Sequence, residues 1–406
     1  MLCLDYDFRR KVMKLKELAT SIGIENYPEK LEKIYENLPE DDGYLYNVEY
    51  IRELENKYGL LGEYLEAVIK GAEDIKNKEN LLLWARLMYE YNKDATLYEI
   101  RKFKLPETDG SPAMDMLPVL VLLREVPDTV KRYEARGFSD KQIIKNLENF
   151  KINLWVLELL RGRPMLDFGH YTWLTNYTKA LIFDHKAFNF QPNVWGINAI
   201  VLKNKITGEH VMVMLKGTFH RNGLVLGSAG CEDAEGSFNA VFSETLEIFI
   251  GHAAKGGRVQ PNAECFMKTE WECVLRPGDA VASLHIPRKT NLDPEYVSES
   301  LREGLELTKK YYPEISPKYI ICSSWLLEPM LATILGENAK LSKFTNRFLK
   351  HPILDYGKGC LGYVWPGNSG PVESYEENTS LQRGIKKLLL EGDFIRGHAG
   401  VIVDEL

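Results

Sequence analysis

The segment AVASLHIP, residues 280–287, is almost wholly apolar and is stopped by a proline. A helix-forming stretch follows, and then a second β-rich run, YIICSSWL, at 319–326. Few folds accommodate that order. An apolar run without polar alternation suits a strand covered on both faces, and Pro287 ends it because proline donates nothing to a ladder. Side-chain alternation puts Ala280, Ala282, Leu284 and Ile286 on one side, with Val281, Ser283 and His285 on the other. Asp293 is placed to cap the next helix and Pro294 suits its first position. Val297, Leu301, Leu305, Thr308 and Tyr312 form its buried stripe, in which Gly304 permits close approach to a sheet. The returning strand is then parallel to the first, through a right-handed crossover.

Ligands of such sheets bind beyond the C-terminal strand ends. Here that place is the loop PRKTNL. Its Arg288, Lys289, Thr290 and Asn291, with the amides at the helix start, suit a phosphate. A solvated connecting loop is the plainer alternative, and Asp293 and Glu295 repel a phosphate placed too close.

The chain ahead of this unit divides in two. Up to about residue 164 apolar residues recur at three- and four-residue spacing: between Asp5 and Leu18, in LLGEYLEAVIKGAEDI, and in ENLLLWARLMYEYN. In the last of these, Leu82, Leu83, Ala85, Leu87 and Met88 face one way while Arg86 and Glu90 reach water. A link at Pro106 to Pro112 interrupts the pattern; Gly137 reads as a helix stop, and Ser139 with Gln142 has capping-box spacing. From residue 165 β-rich runs take over: ALIFDHKAFNF, a hairpin in NAIVLKNKITGEHVMVML turning at Lys205 to Glu209, and ECFMKTEWECVL as one strand. The reading is α+β: an all-helical domain over 1–164 and an α/β domain over 165–406.

A net charge of -7 argues against non-specific nucleic-acid binding. None of the six cysteines forms a CxxC pair, which points to a reducing compartment. The N-terminus has no apolar leader and no run is long enough to cross a bilayer, so the expected location is cytoplasmic, with no membrane partner. The eight histidines are scattered without paired-ligand spacing, which predicts no dedicated metal. P-loop, dinucleotide and GxSxG patterns are lacking.

Arg276–Pro277–Gly278–Asp279 leading into Leu284–His285–Ile286–Pro287 resembles a phrase of the acyltransferase family with a helical N-terminal domain and a GNAT-like C-terminal domain. Cys322, Ser324, Trp325, Leu326, Leu327, Glu328 and Pro329 resemble its next motif, where the family usually has Asp instead of Glu328. Phe344 and Phe348 resemble its F-x-x-x-F stretch, and RGFSDKQI resembles a helix start of its front half. The resemblance implies a splayed mixed sheet that takes acyl-CoA or acetyl-CoA as co-substrate between two central parallel strands, 280–287 and 319–326. It implies transfer of the acyl group to a small-molecule amine. PRKTNL departs from the glycine-containing R/Q-x-x-G-x-G/A loop of typical GNAT enzymes, which favours the alternative of a non-catalytic acyl-CoA-binding or regulatory protein.

Within that frame His285 is a candidate base and Tyr363 a candidate acid for the leaving thiolate. Cys322 is a candidate nucleophile. The plainer roles are a hydrogen-bonded structural histidine, a packed aromatic on a strand and a small buried hydrophobe. Leu284, Ile286, Arg288, Lys289, Thr290, Asn291, Ser323 and Ser324 are the candidate co-substrate contacts. Glu244 and Glu247 are further candidate bases. Oligomeric state is not readable.

Overall fold

The computed structural model describes residues 13–403, so part of the first expected helix, residues 5–12, lies outside the described residues. The chain forms two compact units, residues 1–183 and 184–406.

The first unit is helical. Its longest element, Pro112–Ala135, packs against helices Leu65–Ile75, Glu79–Asp94 and Phe168–Thr178. Close approach to the first of these requires glycine, because a Cβ on Gly71 would lie 2.5 Å from that of Met116. Gly137, at φ 82°, ends the long helix as expected. Ser139 accepts from the Gln142 amide, but the Gln142 side chain donates to Asn146 instead of completing the box. The composition shift near 164 precedes the unit boundary by some twenty residues. The intervening helix Phe168–Thr178 belongs to the helical unit, where the Tyr171 hydroxyl donates to Asn92, whose amide donates to buried Glu125. Arg86 corrects another expectation. It is buried, donating to the Pro39 carbonyl beside Asp41, because the helix carrying it is enclosed on nearly every side.

The second unit holds the strands. A hairpin of β1 (Phe183–His185) and β2 (Phe188–Val194) opens it. Next come β3 (Ala199–Asn204), β4 (His210–Met214), β5 (Gly217–Phe219), β6 (Phe238–Ala240), β7 (Phe242–Glu244) and β8 (Ile248–Lys255). These are followed by β9 (Arg258–Val259), β10 (Glu264–Met267) and β11 (Trp271–Leu275). The main sheet is completed by β12 (Ala280–His285), β13 (Tyr319–Ser324), β14 (Leu349–Pro352) and β15 (His398–Ile402). Its order is β1-β2-β12-β13-β15-β14.

ECFMKTEWECVL is thus two strands. β10 and β11 stand at opposite ends of a path β10-β8-β4-β3-β11. Laid flat, those ends would be about 19 Å apart, four strand spacings. The short connection allows at most about 14 Å, so the sheet must curl. Amide donations from Lys268 to the Glu247 carbonyl and from Lys205 to that of Glu270, both 2.7 Å, extend the β10–β8 and β11–β3 ladders into this connection. Ile200, Leu202, Val213 and Phe266 pack on one face of this half-barrel. Val201, Met212 and Met214 pack on the other, against Val281 and Val401 of the main sheet.

The crossover helix Pro294–Tyr311 lies on the opposite face of the main sheet, against β2 and β13. Gly304 makes this possible: a Cβ there would sit 2.0–2.4 Å from the Phe190 ring. Phe344 and Phe348 also serve this packing, since Phe344 stacks on Phe188 with ring centres 5.4 Å apart. Asp293 occupies the N-cap position without a capping hydrogen bond, because its carboxylate pairs with Lys340 at 2.7 Å. The R-P-G-D phrase is a turn: Asp279 accepts from the Arg276 amide, and Gly278 takes φ 94°.

Candidate active site

The two central strands part. β12 and β13 pair in parallel only from Val281 with Tyr319 to Ser283 with Ile321. Beyond that point β12 stays paired to β2 as far as His285, and β13 to β15 as far as Ser324. The sheet therefore splits into two wings, with Leu284 and His285 on one rim and Cys322 to Ser324 on the other. The ladder fails at its parallel step.

One wing presents a polar row. On β2 and β12, residues facing the half-barrel change from Val281 to Ser283 to His285, opposite Asn193, Gln191 and Asn189. The Asn193 amide donates to the Ser283 hydroxyl at 2.9 Å, and His285 Nε2 lies 3.2 Å from Gln191 Oε1. Burial pushes the His285 imidazole down to about 4, so it is neutral at pH 7.

The other wing is closed around its polar groups. Cys322 is buried, and burial pushes its thiol up to about 12, which keeps it protonated and poorly nucleophilic. The Ser324 hydroxyl accepts from the Leu326 amide and caps the short turn Trp325–Leu327, while Ser323 is exposed. Glu328, in the place of the usual Asp, turns inward: its Oε2 accepts from the Arg396 amide at 3.2 Å and lies 3.7 Å from His398 Nδ1. Burial raises this carboxyl and lowers His398 to about 4.

The loop after β12 has a conformation its composition does not suggest. Lys289 takes φ 63°, the left-handed region that favours glycine, and Thr290 closes the turn by donating to the Pro287 carbonyl. Thr290 also reaches the Ala187 carbonyl, and Asn291 accepts from the Asp293 amide. Arg288 is committed as well, donating to the Gly362 and Tyr363 carbonyls at 3.0 and 2.9 Å. Its guanidinium stands 5.4 Å from the Tyr363 ring centre, and that ring lies against Trp325, 6.3 Å away. Tyr363 is exposed and sits on a helical turn, Leu361–Val364, not on a strand. The fold thus brings Arg288, just past β12, and Trp325, just past β13, to one tyrosine from a distant segment.

Glu244 and Glu247 belong to the half-barrel hairpin instead. Glu244 pairs with Lys268 at 2.8 Å. A surface depression of about 640 Å³ runs along the crossover helix between Pro294 and Arg302, and takes no lining residue from either central strand. Sequence reasoning missed Gln191 and the β15 partner of β13, and it read Trp325 only as part of a motif. The apolar run HAGVI near the C-terminus was the available signal for β15; Gln191 had none, since its meaning depends on register.

Two family models match this arrangement: a GNAT-like C-terminal domain over residues 203–402 and an N-acyltransferase N-terminal domain over 49–180. The chain belongs to the GNAT-like N-acyltransferase family. Solved structures similar to this family member include an acyltransferase in complex with decanoyl-CoA and teicoplanin. That structure matches with TM-score 0.65 at 16% identity, over 96% of this chain and 99% of that one. An acyltransferase in complex with CoA and 10C-teicoplanin matches with TM-score 0.64 at 15% identity and the same coverage. At such identity the likeness is one of fold. No curated protein matches the sequence significantly. Among the described residues no helix is long and apolar enough to cross a membrane, and no cluster of His, Cys, Asp or Glu is arranged to hold a metal.

Proposed function

We propose that the protein transfers an acyl group from acyl-CoA to a small-molecule amine by direct attack, at the open end of β12 and β13. The observation that carries this reading is the loss of pairing beyond Ser283 and Ile321, which leaves backbone groups on the facing edges of the two strands for a guest rather than for each other. Similar structures hold decanoyl-CoA or octanoyl-CoA, which supports a fatty acyl donor.

In this scheme the amine nitrogen bonds to the thioester carbon, the carbon–sulfur bond breaks, and neutral His285, or a water it holds, takes the ammonium proton. Tyr363, at the mouth, returns a proton to the leaving thiolate. Strand amides polarise the carbonyl. Arg288 acts on the co-substrate indirectly by fixing Tyr363, whereas Lys289 and the amides of its turn receive phosphate. Ser323 and Ser324 border the acyl path, and Cys322 serves as packing.

Calorimetric titration of the full chain with acetyl-, octanoyl- and decanoyl-CoA tests this, paired with mass-spectrometric detection of acylated amines. Binding with negative heat-capacity change and product formation are expected. No binding to any of the three would remove the proposal. Binding without turnover across an amine panel would instead select the non-catalytic reading, which the glycine-free loop favours.

A further inference from the structure

We propose that Gln191 is a positioning residue: its side-chain carbonyl holds the His285 proton on Nε2 and so makes Nδ1 the nitrogen that accepts the substrate proton. This inference rests on the reading of His285 as the base.

The antiparallel register of β2 and β12 sets Gln191 opposite Ser283, one diagonal step from His285 on the same face. The neighbouring amides on β2 follow the same rule of local pairing, Asn193 to Ser283 at 2.9 Å and Asn189 to Asp184 at 2.6 Å. Of these three amides, Gln191 alone meets a group whose proton has two possible places. A neutral imidazole carries one N–H. A carbonyl oxygen only accepts, so the 3.2 Å approach of Oε1 to Nε2 is a hydrogen bond only when that proton is on Nε2. A net hydrogen bond of ordinary strength biases the two tautomers roughly five- to tenfold.

An amide in this position orients the ring without giving it charge. A carboxylate would raise the proton affinity of the imidazole and leave it partly cationic near neutral pH. With Gln191 there instead, burial holds the imidazole well below its ordinary range. The base is then uncharged through the neutral range, as a group that takes a proton from an amine must be.

The test is a two-bond ¹H–¹⁵N spectrum of the full chain labelled with ¹⁵N-histidine, in which H285A assigns the signal among eight histidines. Wild type should show a pyrrole-type Nε2 and a pyridine-type Nδ1. Gln191→Leu should average the two shifts and lower kcat about twofold, the loss of the reactive tautomer from most of the population to half of it, with KM for decanoyl-CoA unchanged. Gln191→Glu should keep the proton on Nε2 and raise the imidazole midpoint by at least about one pH unit. A proton on Nδ1 in wild type overturns the inference, because the amide would then present its NH2 group to the ring. An unchanged His285 spectrum in a Gln191→Leu protein that melts like wild type overturns it too. If the tautomer is as expected but H285A turns over normally, the pairing stands and the assignment of His285 as base is what fails.

Discussion

The two wings of the split sheet differ in what each does with its polar groups. The β2–β12 wing arrays them along a face as neutral pairs, Asn193 with Ser283 and Gln191 with His285, and ends in a charged loop held in a left-handed turn. The β13–β15 wing draws its polar groups inward: Glu328 against Arg396 and His398, with His351 on β14 and Cys322 on β13 both buried. One wing lines its polar groups along a face beside the split and the other anchors the frame. The lesson concerns Cys322. Its position on a central strand is suggestive in a linear reading, yet it lies on the anchoring wing, where burial removes its reactivity.

Acidification should weaken both wings and the anchoring one more, because that wing holds two histidines lowered by burial, His351 and His398, against His285 alone on the other. His351 and His398 titrate near 6.5 when unfolded and near 4 when folded, because burial disfavours the cation. Between those values the unfolded chain holds more protons. Their contribution is therefore complete above about pH 6.5 and is lost as pH falls toward 4, up to about 3 kcal/mol for each. Glu328, raised by burial, works in the opposite sense and offsets part of the loss. Urea midpoints at pH 7 and 4.5 measure this. The double substitution H351N/H398N should leave only the smaller loss that His285 contributes, and an equally steep loss in that variant would place the cause elsewhere.

Activity should sort the wings the other way. His285→Ala is expected to lower turnover about 100-fold or more, with acyl-CoA affinity little changed. Cys322→Ala should retain turnover, and intact Cys322 should resist iodoacetamide at pH 8. Rapid alkylation that abolishes activity would reverse the assignment of roles.

Packing beneath the open wing comes next. Gly304→Ala would add a methyl where the Phe190 ring already stands, costing about 1–3 kcal/mol despite alanine's better helix propensity. A melting temperature equal to wild type would show that the helix can back away from β2.

The smallest effect belongs to the loop. Lys289→Gly should stabilise the chain by about 1 kcal/mol or less, since relief of the left-handed strain is partly cancelled by the entropy of glycine in the unfolded chain. Lys289→Val should do the reverse.

Much of the architecture was legible because it is local. The apolar run at 280–287, its proline stop and the stripe on the next helix each follow from neighbours in sequence, and β12, the crossover helix and β13 lie where those patterns put them. Gly304 was legible as a close approach, though not as an approach to Phe190. Less local features were misread. ECFMKTEWECVL has a strand's composition throughout, but the turn at Lys268 to Glu270 is set by curling of the half-barrel. Arg86 reads as a solvent-facing position until the whole fold encloses its helix.

The candidate site divides along the same line. The sequence by itself determined the parallel strand pair, the chemistry of the loop that follows it and the residue types at its rims, because these depend on alternation, proline and helix periodicity within some forty residues. Tertiary structure alone decided where the pair comes apart, that Gln191 meets His285, that Arg288 is engaged with Tyr363, and that Cys322 is sealed. Each of those depends on register or burial between segments about 40 to 95 residues apart, and a residue's hydrogen bonds and ionisation are set by whatever that register places beside it.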